Sequence, residues 1–316
     1  VTVPHAVGEH APGRSEAAST EPYLAGHHLL LAHAHAVSRY RTSFWPHQGG
    51  TIGITLNCDW REPLVATSVE DIAAAGRGLD WFLGWFAHPI WVGDYPLTMR
   101  QRCGERLPSF TAQEKELLLG SSDFFGLNHY STKFVTAQRE GETGSLSMWG
   151  TEQSGGYFDD QNVAESGHPD WQQTHMGWDV VPWGLCKLLL HIQRMYSPKG
   201  GILITENGCA VHEPNVAAAC DDGFRVRFFQ MYISQVQRAI EEGADVRGYF
   251  AWSLLDNFEW SHGYNKRFGI VHVDYDTQVR TPKASARLLS AVWRTNTLEL
   301  DPDVAKAALV GEPGTE

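Results

Sequence analysis

Glu206 is where the sequence first offers chemistry. A run rich in β-branched residues, 201–205, leads straight into Glu206-Asn-Gly208, so a carboxylate stands where a strand ends and the chain turns. The mouth of a parallel strand is where α/β barrels keep their reactive groups. Taken alone, Glu-Asn-Gly is an ordinary turn, and its neighbours change its meaning. The run 246–252 opens into Ser253-Leu-Leu-Asp-Asn-Phe-Glu-Trp260 and then Gly263-Tyr-Asn-Lys-Arg-Phe-Gly269. Trp252, Trp260, Asp256, Glu259 and Asn257 therefore crowd one loop. A loop that only covers a core has little use for both indoles and carboxylates, whereas a pocket for a sugar ring needs flat apolar faces and acceptors for hydroxyl groups. A third strand-like run ends in Asn128-His129-Tyr130, so side chains from several strand ends can converge on one pocket.

The elements that must position these groups alternate. Strand-like runs at 51–57, 123–128, 202–205 and 246–252 are separated by stretches with apolar residues at spacings of three and four, which predict helices over 23–40, 69–86, 183–196, 222–242 and 283–293. Short apolar strands joined by long helices argue for a parallel sheet, doubly wound or closed into a barrel, and periodicity does not choose between the two. Residues 131–179 are polar, carry Gly155, Gly156, Ser166 and Gly167 and show little period. They read as an excursion from the scaffold of the kind that shapes a site. Residues 311–316 read as a frayed end.

Bulk composition narrows the partners. With 316 residues, 42% of them hydrophobic, the chain can bury a sizeable core. A formal net charge of -12 disfavours nucleic acid, which is bound through a surplus of Lys and Arg. No apolar run approaches the roughly 18 residues of a membrane span, and residues 1–13 do not read as a signal peptide. The five cysteines, Cys58, Cys103, Cys186, Cys209 and Cys220, lack metal-cage spacing and read as free thiols, with a Cys209–Cys220 pair as the alternative. The compartment stays open.

Longer motifs then bring a resemblance into view. They are Gly8-Glu-His-Ala-Pro-Gly13, His28-Leu-Leu-Leu-Ala-His33, Gly84-Trp-Phe with Gly93-Asp-Tyr-Pro96, and Arg106-Leu-Pro-Ser-Phe-Thr111. Asp123-Phe-Phe-Gly-Leu-Asn128, Gly177-Trp178, Ile204-Thr-Glu-Asn-Gly208, the Trp252–Trp260 loop and Arg280-Thr-Pro-Lys283 follow in order. Together they resemble the β-glucosidases of glycoside hydrolase family 1, from the first residues to about Trp293. The resemblance implies a TIM-type (β/α)8 barrel, of which residues 1–316 supply about the second half as a single partial domain. It makes Glu206 the nucleophile that forms a glycosyl ester and Tyr130 the hydroxyl that hydrogen-bonds it, with Asn128 lining the same pocket. Trp252 would stack on the glycone, Glu259 and Trp260 would hold its outer hydroxyls, Phe268 would close the wall, and Trp178 would be a platform for the aglycone. A retaining mechanism needs an ionised carboxylate and a protonated one about 5–5.5 Å apart. The phenol's hydrogen bond favours the ionised form of Glu206. No cofactor and no metal are implied.

The same resemblance exposes a gap. In the family the acid/base Glu lies in a Thr-x-Asn-Glu-Pro segment just before the stretch matching residues 1–13, and residues 1–316 contain no such segment. Glu21, Glu62 and Glu213 each precede a proline, but Glu21 reads as a first-turn helix acid, Glu62 as part of a loop after the first strand, and Glu213 as part of the loop after Glu206. The expectation is a fragment of a longer enzyme, or one of two chains that together close a barrel, with little activity alone. Two rivals come from other classes. One is a non-catalytic carbohydrate-binding or structural subunit. The other is a metal hydrolase using His27, His28, His33 and His35, weakened because no acid in that helix completes a ligand set.

Overall fold

The computed structural model describes Gly13 and residues 17–138 and 156–314. The first motif apart from Gly13, the centre of the 131–179 excursion and the last two residues lie outside the described residues. The chain divides into two compact units, one drawn from Val1–Leu127, Lys133–Ser166 and Ile192–Ile202, the other from Asn128–Thr132, Gly167–His191 and Leu203–Glu316.

The first unit is built around the helix Glu21–Arg39. Its buried residues include Tyr23, His27, Leu30, Ala34 and Val37, spaced alternately by four and three, which places them on one helix face. That face packs into a core with Trp81, Trp85, Ile90, Met99, Phe110 and Leu118. Glu21 occupies the first turn with Pro22 behind it, as its sequence position suggested. Strand β1 (Ile54–Asn57) neighbours β3 (Phe125–Asn128), and β2 (Trp60–Pro63), β4 (Thr132–Ala137) and β5 (Val163–Ser166) form a separate three-stranded sheet.

Two expectations change here. The helix expected over 69–86 is three pieces: Val69–Leu79, a π-helical turn Asp80–Gly84, and Trp85–Trp91 with Pro89 inside it. Proline cannot donate to the carbonyl four residues back and crowds it, so a widened turn beside it relieves the register. Glu62 lies in β2 and not in a loop; its carboxylate accepts from the Trp60 indole at 2.6 Å. The polar excursion also holds more structure than its composition suggested, since β4 pairs antiparallel with β5, Phe134 opposite Ser166 and Ala137 opposite Val163.

In the second unit the end of β3 lies beside β6 (Ile202–Asn207), which lies beside β7 (Val246–Ala251). The connection between β6 and β7 contains the helix Gly223–Glu241, which buries Phe228, Phe229, Tyr232 and Val236. This is the strand–helix–strand crossover expected of a parallel α/β sheet. Strand β6 runs two residues beyond the expected 205, because Asn207 is tied on both sides: its amide donates to the His129 carbonyl at 2.8 Å and its side-chain oxygen accepts from the Tyr249 hydroxyl at 2.7 Å. A short hairpin, β8 (Val271–Val273) with β9 (Arg280–Pro282), precedes the helix Ala284–Thr295. All five cysteines are free, which leaves the Cys209–Cys220 alternative without support. Among the described residues no helix is long and apolar enough to cross a membrane.

Candidate active site

The residues that the sequence offers for the sugar pocket all fall in the second unit. Glu206 lies one residue inside the end of β6, and the turn that follows is fixed by a close backbone approach. A side chain at Gly208 would put its Cβ 1.8 Å from the Trp252 carbonyl oxygen, so only glycine fits there. The Trp252 N–H donates to the Asn207 carbonyl at 2.9 Å, and the His129 N–H donates to the Glu206 carbonyl at 3.0 Å. Backbone hydrogen bonds thus bring the ends of β3, β6 and β7 side by side.

The side chains follow. The Tyr130 hydroxyl donates to Oε2 of Glu206 at 2.5 Å. Asn128 accepts from the Thr205 hydroxyl at 2.7 Å and hydrogen-bonds to Glu206. Tyr130 itself is held from behind by the Tyr232 hydroxyl, which donates to the Tyr130 carbonyl at 3.3 Å and to which no sequence signal pointed. The Trp252 indole N–H donates to Oε1 of Glu259 at 3.0 Å, leaving that carboxylate's other oxygen able to accept from a hydroxyl group. Tyr130 meets Trp178 edge-to-face at 5.2 Å, and Phe268 lies 6.3 Å from Tyr130 and 6.0 Å from Trp178.

Exposure separates these residues. Phe268 is 1% exposed, Glu259 7% and Trp178 8%, while Trp260 stands 78% exposed at the start of a 3-10 turn. Trp178 is thus largely covered, and the neighbours Glu259 and Trp260 part company, one buried and one open to a ligand.

Burial pushes the Glu206 carboxyl above its ordinary value, against the lowering effect of the hydrogen bonds from Tyr130 and Asn128. The expected phenol donor is present, yet desolvation outweighs it. Glu259 is also raised, first by burial and then by the negative charge of Glu206, with the Trp252 indole opposing. Two carboxyls in one half-buried site, each with a directed donor, form a pair suited to covalent and hydrogen-bonding work on a neutral polyol.

A different arrangement lies farther along the same loops. Glu213, Asp256 and His272 bring ligand-type atoms within 4.8 Å of one another, the kind of group that can hold a metal ion. Their centre is taken by the protein's own cation, since Lys283 Nζ lies 2.7 Å from both Glu213 oxygens and 3.1 Å from Asp256 Oδ1. Glu213 is therefore spoken for. In the first unit His27 stacks on Phe110 at 4.5 Å and bonds to the Tyr95 hydroxyl at 3.1 Å, while His28 and His35 are exposed. That is the placement of packing and surface histidines.

Known proteins resemble this chain over most of its length. The family model described as Glycosyl hydrolase family 1 matches residues 1–298. Beta-glucosidase 42 of Arabidopsis thaliana is 44% identical over 289 residues, covering 89% of this chain and 57% of the relative. Raucaffricine-O-beta-D-glucosidase of Rauvolfia serpentina is 42% identical, covering 88% of this chain and 51% of the relative. Among solved structures, a rice beta-glucosidase superposes with a TM-score of 0.82 at 36% identity, over 94% of this chain and 64% of that one. A beta-glucosidase of the fungus Humicola insolens, solved with glucose, gives 0.82 at 34% identity over the same shares. The chain spans little more than half the length of these curated relatives. Its α/β architecture with a parallel sheet is that of their TIM-type (β/α)8 barrel, of which it supplies a part. A match extending over residues 1–298, nearly all of the chain, has one meaning: the chain belongs to glycosyl hydrolase family 1.

Proposed function

We propose that this chain carries the nucleophile side of a retaining β-glycosidase acting on terminal β-glucosyl or closely related residues. The anomeric carbon is attacked by Glu206, and a glycosyl ester forms as the aglycone oxygen leaves. Tyr130 and Asn128 orient the carboxylate and favour its ionised form, while Trp252, Glu259, Trp260 and Phe268 receive the glycone and Trp178 flanks the aglycone side. The observation that carries this reading is the 2.5 Å hydrogen bond from Tyr130 to Glu206 where β3 and β6 end together. Support comes from relatives whose names and titles speak of β-glucosidases, including a rice relative whose mutant was solved in a covalent complex with Glc.

Retention also requires a general acid that protonates the leaving oxygen and later activates water. Residues 1–316 hold no Thr-x-Asn-Glu-Pro segment, so turnover of an ordinary aryl β-glucoside by these residues alone stays near background. A half-barrel carrying that segment is the partner that would complete the cycle. Formation of the ester needs no acid when the leaving group is itself a weak base. Incubation with a 2-deoxy-2-fluoroglucoside of dinitrophenol, followed by peptide mapping by mass spectrometry, should therefore place one fluoroglucosyl group on the peptide containing Glu206. Binding without any covalent adduct would favour a non-catalytic carbohydrate-binding subunit instead.

A further inference from the structure

The ion cluster beside the site joins the segments that carry the site. Glu213 ends the segment that begins at Glu206, Asp256 sits midway between Trp252 and Glu259, and Arg267 immediately precedes Phe268. Lys283, 0% exposed, donates to both Glu213 oxygens and to Asp256. Asp256 Oδ2 accepts from Arg267 at 2.6 Å and from the Val273 N–H at 3.2 Å, and Oδ1 accepts from the Gly269 N–H at 3.0 Å. A Cβ at Gly269 would lie 2.2 Å from the Asp256 nitrogen, so the two strands of this tie are in direct backbone contact. On the other side Arg225 donates to Glu213 at 2.9 Å and to the Arg267 carbonyl at 2.9 Å, and pairs with Asp222, which in turn accepts from Ser285.

The acids Glu213, Asp222 and Asp256 are thus matched by the cations Arg225, Arg267 and Lys283. Of these cations, Lys283 is the one that bonds a carboxylate on each side, Glu213 of the segment descending from Glu206 and Asp256 of the loop bearing Trp252 and Glu259. A buried ion set of this kind is costly to assemble and contributes little net stability over apolar packing, so what it supplies is a defined geometry.

We propose that Lys283 is a positioning residue: through Glu213 and Asp256 it sets where the Trp252–Glu259 pair stands relative to Glu206. This rests on the reading of Glu206 as nucleophile and of Trp252 and Glu259 as glycone contacts. Loosening the tie should weaken capture of the sugar more than it slows the covalent step, since the pair touches hydroxyl groups and Glu206 alone bonds to carbon.

Lys283→Met alone leaves three acids to two cations and risks misfolding, so the working variant is the charge-balanced pair Lys283→Met with Glu213→Gln. Two readouts are needed. In labelling by the fluoroglucoside, the concentration for half-maximal rate should rise roughly 10- to 100-fold, the scale of one hydrogen bond between a hydroxyl group and a carboxylate, with the limiting rate nearly unchanged. In a 1H–15N spectrum, the Trp252 indole N–H resonance, assigned by its loss in Trp252→Phe, should shift or broaden. A variant that melts earlier but keeps both the indole resonance and the labelling constants of the parent would overturn the proposal and leave Lys283 a stabilising residue only. Absence of labelling in the parent chain would count against Glu206 as nucleophile, and the indole resonance would still decide for or against Lys283.

Discussion

Two carboxylates seven residues apart, Glu206 and Glu213, show how the same side chain meets different surroundings, one proposed as nucleophile and one held in an ion cluster. Glu213 faces cations: Lys283 on both oxygens and Arg225 on one. Glu206 faces neutral donors, Tyr130 and Asn128, and burial raises its carboxyl above the ordinary value. A carboxylate whose charge is offset by two cations has little left to offer carbon, whereas one held by a phenol and an amide is oriented without being neutralised, as a nucleophile requires. The difference lies in what the fold brings to each oxygen.

The comparison is broken most severely by removing the proposed nucleophile. Glu206→Gln should abolish fluoroglucoside labelling, a loss of at least about 10⁴-fold in labelling rate as for other lost nucleophiles. The stability of this variant relative to the parent should grow as pH rises through the raised Glu206 value. A carboxyl raised by folding stabilises the fold below its unfolded value and loses that contribution above its folded one.

The next effect belongs to the member held in the ion cluster. Lys283→Met, unbalanced, should cost about 3–5 kcal/mol in denaturant unfolding because it leaves three acids, Glu213, Asp222 and Asp256, to the two cations Arg225 and Arg267. A loss below about 1 kcal/mol would mean that the acids are not held by Lys283.

Smaller and more specific is Tyr130→Phe. The phenol favours the charged form of Glu206, so its loss should push that carboxyl further up and move the acidic limb of the labelling rate to higher pH. A hydrogen bond to a charged group contributes about 1.5–3 kcal/mol, or roughly one to two pH units. A limb that stays in place would show that the bond does not stabilise the ionised form. Smallest of all, His28→Ala and His35→Ala are exposed changes expected to fall within about ±0.5 kcal/mol by thermal melting and to leave labelling untouched.

Much of this was legible beforehand. Strand ends at Asn128, Glu206 and Trp252 were marked by runs of β-branched and aromatic residues stopping at polar or aromatic ones, and the alternation of runs and helices pointed to the α/β class. The π-helical turn at Asp80–Gly84 was not legible, because helical periodicity continues across a widened turn. Nor was the strand pair inside the polar excursion, since β4 and β5 are stabilised by each other and not by a period in either. The Lys283 cluster escaped for a related reason. Its members are scattered from Glu213 to Lys283, and only Asp222 with Arg225 shows a helical spacing; buried charge is recognised by its partners, which only the fold assembles. The upward push of desolvation on the Glu206 carboxyl was likewise hidden, because burial is not written at any single position.

The central claim is that Glu206 bonds to the anomeric carbon, and a crystal structure of the fluoroglucoside-treated chain tests it most directly. Retention through a β-glycoside requires an α-linked sugar ester on Glu206, with the Tyr130 hydroxyl beside it and the ring against Trp252. A sugar lying unlinked, or joined to any other residue, would contradict it.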